Sequence, residues 1–135
     1  MMQLKFKKPI IIAHREEGVR RFYADAVRAI FPENPALLPE ENVQVHEVGD
    51  GQRLVYTVRT AYYGLVITGN EMPVMSGIEA VKLIRKENPD LHIYMLSGDP
   101  SNKDAAMQAG VTEFGINPIS LQEFTATVLR MYKSE

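Results

Sequence analysis

The chain has 135 residues, of which 45% are hydrophobic and 24% charged, with a formal net charge of −2. That length suits one domain with a real core, and the small charge excludes strong electrostatic attraction to nucleic acid or an anionic membrane. There is no cysteine, which excludes disulfides, thiolate metal sites and thiol catalysis.

Met1 to Lys8 carries three lysines, but the apolar run behind them is only Ile10 to Ala13. That is too short for a signal-peptide core or a membrane span, so a cytoplasmic location is the default expectation. Ile10-Ile11-Ile12-Ala13 is β-branched and uninterrupted, as in a strand buried on both faces. His14-Arg15-Glu16-Glu17 is a polar turn. Val19, Phe22, Ala26 and Ile30 then recur at helical spacing, with Glu16 and Glu17 where the helix dipole favours acids. Pro32 ends this helix.

Residues 32–42 hold Pro32, Pro35 and Pro39 and form a loop longer than the usual connection from helix to strand. Its Leu37 and Leu38 must pack back or be exposed. Val43, Val45 and Val48 mark a second strand, Gly49-Asp50-Gly51 a turn, and Leu54, Val55 and Val58 a short helix. Tyr62-Tyr63-Gly64 leads into a third strand, Leu65 to Thr68, whose carboxyl end opens at Gly69-Asn70-Glu71. In an open α/β sheet, sites are built at such ends. Gly69, without a side chain, is neither nucleophile, base nor metal ligand.

Ser76 with Glu79 is a capping-box signature. It opens a helix through Ile78, Val81 and Ile84 that stops before Asn88-Pro89. Leu91 to Leu96 reads as the fourth strand. Ser97-Gly98-Asp99-Pro100 is a loop, and Pro100 suits the start of the next helix, which runs through Ala105, Ala106 and Ala109 to a cap at Gly110. Thr112 to Asn117 reads as the fifth strand. After the Asn117-Pro118 turn, Ser120 with Glu123 gives another capping box, and Leu121, Phe124, Val128 and Met131 line the last helix. Five strands alternating with five helices predict one α/β domain over residues 1–135, with a core of about 9–132, as a parallel sheet covered on both faces by right-handed crossovers. The end at Glu135, directly after the last helix, predicts no output domain.

The alternating plan, the Met72-Pro73-x-Met75-x-Gly77 loop, the Ala109-Gly110 helix end and the Asn117-Pro118 turn together resemble a response-regulator receiver domain, over roughly Pro9 to Tyr132. The resemblance implies a flavodoxin-like doubly wound sheet of strand order 2-1-3-4-5. It also implies a phosphoryl-accepting aspartate after the third strand and an acidic pair after the first that helps hold magnesium. A Ser or Thr after the fourth strand and a lysine after the fifth bind the phosphoryl oxygens. Here the acceptor position, four residues before Pro73, is Gly69. The acidic pair is His14 and Arg15, and the lysine position is Asn117. Ser97 alone keeps the pattern. The aromatic switch position is Phe114, a ring without a hydroxyl. The substitutions agree with one another, since a site without its nucleophile needs neither magnesium nor ammonium. The reading is therefore a pseudo-receiver with no Mg2+ site and no cofactor.

The remaining polar groups each carry two readings. Arg15 and Glu71 either pair in the former pocket, with the guanidinium replacing the metal's charge, or both reach water and contribute little. Ser97 either helps bind an anion or is an ordinary turn serine. His14 with Glu16 or Glu17 lacks a ligand constellation, and His46 and His92 are scattered, so exposed or structurally bonded histidines are expected. Capping explains Asp99 and Asp104 better than catalysis does. Lys103, Arg130 and Lys133 read as solvated faces, while Ile116, Ile119 and Met131 are either core or apolar contacts. Their surface, formed by the fourth helix, fifth strand and fifth helix, is where receivers meet partners, and the 32–42 loop is a second candidate contact. Met72, Met75 and Met95 are accounted for by loop and core packing.

Three functions follow in order. The first is a stand-alone module of a bacterial two-component-type pathway that docks to a protein without phosphorylation. Its partner would be a sensor kinase, a receiver or an effector, or a second copy through the face of the last two helices. The second is a sensor of a small anion or metabolite in the emptied pocket lined by Arg15, Glu71, Ser97 and Asn117. The third is an enzyme or a phosphoacceptor on another side chain, for which no nucleophile, base and oxyanion site assemble.

Overall fold

The computed structural model describes residues 7–133, the last of them by its backbone alone. The segment Met1–Phe6, residues Ser134 and Glu135, and the side chain of Lys133 lie outside the described residues. Five strands alternate with five α-helices: β1 Ile10–Ala13, α1 Glu17–Ile30, β2 Val45–Val48, α2 Gly51–Thr60, β3 Leu65–Thr68, α3 Gly77–Glu87, β4 Ile93–Ser97, α4 Lys103–Ala109, β5 Glu113–Ile116 and α5 Leu121–Lys133. All strand pairs are parallel, in the order β2-β1-β3-β4-β5. This is the flavodoxin-like arrangement predicted from the alternation and the resemblance.

The alternation of side chains along each strand splits the core in two. Ile11, Ala13, Val66, Ile93 and Met95 face Leu54 and Val55 of α2, Val81 and Ile84 of α3, and Ala106 and Ala109 of α4. Ile10, Ile12, Leu65, Ile67, Tyr94 and Leu96 face Tyr23, Ala24 and Val27 of α1 and Phe124, Val128 and Met131 of α5. Because β1 and β3 are buried on both faces, their sequences are apolar without alternation.

Several expectations shift. The buried stripe of α1 is Tyr23, Ala24 and Val27, and Phe22 is 63% exposed. Tyr23 takes the inward place because its ring stacks on Phe124 at 5.4 Å and its hydroxyl has a partner in Asn117. Asp50 sits in the expected turn and has a further role. It caps α2, accepting from the Arg53 backbone N–H at 2.7 Å. Strand β2 begins at Val45, and β4 runs from Ile93 to Ser97. Residues 32–42 include a single 3-10 turn, Pro39–Glu41, and close on themselves through Asn42, which accepts from the Asn34 N–H at 2.8 Å. Leu37 and Leu38 stay exposed. Both capping boxes form as predicted at the hydroxyl end: Ser76 accepts from the Glu79 N–H at 3.2 Å and Ser120 from the Glu123 N–H at 3.0 Å. Gly110 takes the left-handed conformation that ends α4. Among the described residues no helix is long and apolar enough to cross a membrane.

Candidate functional site

The register places Ala13, Thr68 and Met95 side by side, so the loops after β1, β3 and β4 share one end of the sheet. The loop after β3 is held by backbone contacts that tolerate no β-carbon at two glycines. The Gly77 N–H donates to Asn70 O at 2.8 Å, and a β-carbon on Gly77 would lie 2.0 Å from Gly69 O. The Gly51 N–H donates to Met75 O at 3.1 Å, where a β-carbon would come within 2.2 Å of the same oxygen. Between them the Met75 N–H donates to Pro73 O at 2.7 Å across Val74, whose φ is 70°. That is a γ-turn of the strained, positive-φ kind, on a β-branched residue.

Two clusters of side chains occupy this end. In the first, the His14 ring covers Gly69: a β-carbon there would meet His14 Cδ2 at 3.1 Å. His14 Nδ1 accepts from the Glu16 N–H at 3.0 Å, and the ring stands edge-on to Tyr23. An accepting Nδ1 requires the neutral imidazole, protonated at Nε2. Its pKa is lowered, first by burial; Glu16 opposes this, while Arg20 and Arg15 act with it. Arg20, on α1, donates to the His14 carbonyl at 3.0 Å and lies 3.7 Å from Glu47. Asn117 donates to the Tyr23 hydroxyl at 3.0 Å, and its N–H donates to Ser97 O at 2.9 Å. Burial raises the Tyr23 pKa, with the Asn117 bond acting the other way.

In the second cluster the buried Ser97 hydroxyl accepts from the Asp99 N–H and from Asn102 Nδ2, both at 3.1 Å. The same Asn102 nitrogen donates to Glu71 Oε2 at 3.1 Å. Asn70 Nδ2 donates to that oxygen too, and Asn70 Oδ1 accepts from the Ile78 N–H at 3.0 Å. Asp99 caps the following turn through Ser101, which holds its carboxyl below the usual range.

The expected Arg15–Glu71 ion pair does not form. Arg15 is exposed and makes neither ion pair nor hydrogen bond among the described residues, while Glu71 is taken by two asparagine amides. Arg15 lies in the loop between β1 and α1, where its side chain is solvated. Met131 is not a contact residue: it is 2% exposed in the core beneath α5. Ile119 is half-buried against that core, and Phe114 against the opposite one. Ile116 and Lys103 are exposed. Arg130 is also exposed but not merely solvated, since it grips both Glu113 oxygens at 2.6 Å. Asn70, Asn102 and Tyr23 were not singled out from the sequence. Their one sequence signal is that two asparagines sit in the loops flanking Glu71 and Ser97.

Among the described residues no group of three or more His, Cys, Asp or Glu side chains is placed to share a metal ion. Two hollows of about 410 and 610 Å³ lie at the other end of the sheet, where Tyr62, Glu87 and Asn88 line both. They share no residue with the loop clusters.

A parallel five-stranded sheet with order 2-1-3-4-5 and a loop cluster at its carboxyl ends is the flavodoxin-like arrangement, to which receiver domains belong. The chain belongs to the response regulator receiver domain family, whose sequence pattern it matches over residues 25–129. It is 36% identical over 83 residues to the two-component response regulator ORR41 of rice, covering 58% of this chain and 65% of that protein. It is also 24% identical over 123 residues to the CAI-1 autoinducer sensor kinase/phosphatase CqsS of Vibrio cholerae, covering 87% of this chain and 16% of the kinase. The chain thus spans less than two thirds of these relatives. Among solved structures, the receiver domain of the Francisella response regulator 1452 superposes with a TM-score of 0.74 at 22% identity, over 95% of this chain and 98% of that one. The receiver domain of the Pseudomonas aeruginosa sensor histidine kinase PA1611, solved with magnesium in its active-site cleft, gives 0.79 at 17% identity, over 94% and 98%.

Proposed function

We propose that this receiver domain is a pseudo-receiver of a two-component-type pathway, acting by docking to another protein and not by accepting a phosphoryl group. The observation that carries this reading is the His14 ring lying over Gly69. A β-carbon at the acceptor position would press on that ring, and the residue beneath it has no side chain. A magnesium ion does not fit the groups present. Hard divalent cations take oxygen ligands, whereas the equivalent positions hold an imidazole, a guanidinium and a glycine. Asn117, in the lysine position, is committed to Tyr23. Among the described residues no nucleophile is assembled with a base, so the domain is not an enzyme in this reading.

Docking then works by occupancy of a surface, regulated by partner concentration or expression. A sensor kinase, another receiver or an effector is the partner class, in line with the sensor proteins among the relatives. The exposed apolar side chains Met107, Ile116 and Leu121 of α4, β5 and α5 form the candidate contact. An anion sensor is the second reading, favoured only by Arg15, which has no ion pair or hydrogen bond among the described residues. A thermal-shift screen against nucleotides and acyl phosphates separates the two, because a shift abolished by Arg15→Ala favours the sensor.

The test of the main reading is mass spectrometry after incubation with acetyl phosphate and magnesium. The expected result is the unmodified mass. A stoichiometric phosphoryl adduct on any aspartate overturns the reading.

A further inference from the structure

We propose that Asn102 is a built-in clasp that holds the segment between β4 and α4 closed, without any phosphoryl group. Its one amide nitrogen carries two hydrogens, and it lies within hydrogen-bond distance of two acceptors, one at the end of β4 and one in the loop after β3. These are Ser97 Oγ and Glu71 Oε2, each at 3.1 Å. The carboxylate makes the second bond charge-assisted. Glu71 is itself steadied by Asn70, which is locked to the start of α3 through the Ile78 N–H. The clasp therefore runs from the rigid α3 end, through Glu71 and Asn102, to the buried hydroxyl of Ser97.

Three features make this arrangement a control point and not an ordinary polar contact. Gly98, Asp99, Pro100 and Ser101 are exposed, and a β-carbon on Gly98 would meet nothing within 4 Å. The segment is held by hydrogen bonds, not by packing. Asn102 also precedes α4 in the cap position, yet its side chain makes no cap bond to the helix. Asp99 caps the helical turn that leads into α4, accepting from the Ser101 N–H, which leaves Asn102 Nδ2 to reach Glu71 and Ser97. Finally, α4 buries only Ala106 and Ala109, so its small apolar anchor leaves its position sensitive to what holds its first residue. The clasp thereby sets how α4 presents its exposed Met107.

This inference rests on the docking reading for its consequence but has its own test. Hydrogen exchange, followed by mass spectrometry, is compared for wild type, Asn102→Ala and Glu71→Ala. Both substitutions are expected to speed exchange at least tenfold across residues 98–106, with residues 10–13 and 65–68 as protected as in wild type. Unchanged exchange across 98–106 in either folded variant overturns the clasp. If Asn102→Ala unfolds the whole chain, Glu71→Ala decides alone, since that exposed side chain cuts the same bond from the other loop. A phosphoryl adduct on wild type would instead overturn the pseudo-receiver reading and leave the exchange result standing, so the two failures are distinguishable.

Discussion

The His14 ring lies 3.1 Å from where a β-carbon on Gly69 would stand. A glycine at the end of β3 and an imidazole after β1 thus form one packed unit, and each limits what the other position accepts. Gly69→Ala forces the ring to move and is expected to cost about 1–2 kcal/mol, the usual range for one added carbon in a filled site. In a His14→Ala background the same substitution is expected to cost less. Urea unfolding of the two single variants and the double variant checks this, and strictly additive costs would show that the two positions do not interact.

The loop glycine Gly77 is under a harder constraint, because its neighbour is backbone. A β-carbon would stand 2.0 Å from Gly69 O. Gly77→Ala is expected to destabilise by about 3 kcal/mol or more, at the upper end for overpacking. A denaturation midpoint equal to wild type would contradict the loop geometry.

Val74 holds a φ of 70° while 75% exposed, so it carries backbone strain with no packing to offset it. Relieving a left-handed β-branched residue returns about 1–3 kcal/mol, less the extra freedom glycine has in the unfolded chain. Val74→Gly is accordingly expected to stabilise by about 1 kcal/mol, read as a raised melting temperature. A lowered one would mean that the turn is not strained.

The lowered pKa of His14 has a direction in pH. A base with a folded pKa below its unfolded value of 6.5 contributes stability that is fully present above 6.5 and is lost as pH falls through the folded pKa. Wild type is therefore expected to lose stability on acidification from pH ~7.5 to ~5, and His14→Gln to lose less over the same span. Denaturant titrations at each pH compare the slopes. Equal slopes would show that His14 is not held neutral.

Asn117 reaches back across 94 residues to the buried Tyr23 hydroxyl at 3.0 Å. Tyr23→Phe removes the bond while keeping the ring stacked on Phe124 and is expected to cost about 1 kcal/mol. A double-mutant cycle with Asn117→Ala should give a coupling of similar size, and no coupling would mean that the bond contributes nothing to stability.

The strands, the capping boxes at Ser76 and Ser120 and the helix end at Gly110 were legible in the sequence, and so was the register-neutral fact of a doubly wound sheet. Each is either an average over several apolar positions or a contact between residues three or four apart. Errors of two residues at a strand end, as at Val45 or Ile93, do not disturb them. On α1 the expected Val19, Ala26 and Ile30 do pack against the core, but Tyr23 rather than Phe22 went inward because only Tyr23 found Phe124 and Asn117 waiting.

Polar partners followed a different logic. Sequence spacing put Arg15 and Glu71 at the same sheet end, but Glu71 binds Asn102, 31 residues further on, and Arg15 turns to solvent. By itself, then, the sequence determined the sheet, its two helical layers and the residue types standing at its carboxyl edge. Only the tertiary structure decided that His14 covers Gly69 and that Asn102 joins Ser97 to Glu71. Burial depends on patterns that tolerate small displacements, whereas a hydrogen bond depends on two side chains from distant segments meeting within a few tenths of an ångström.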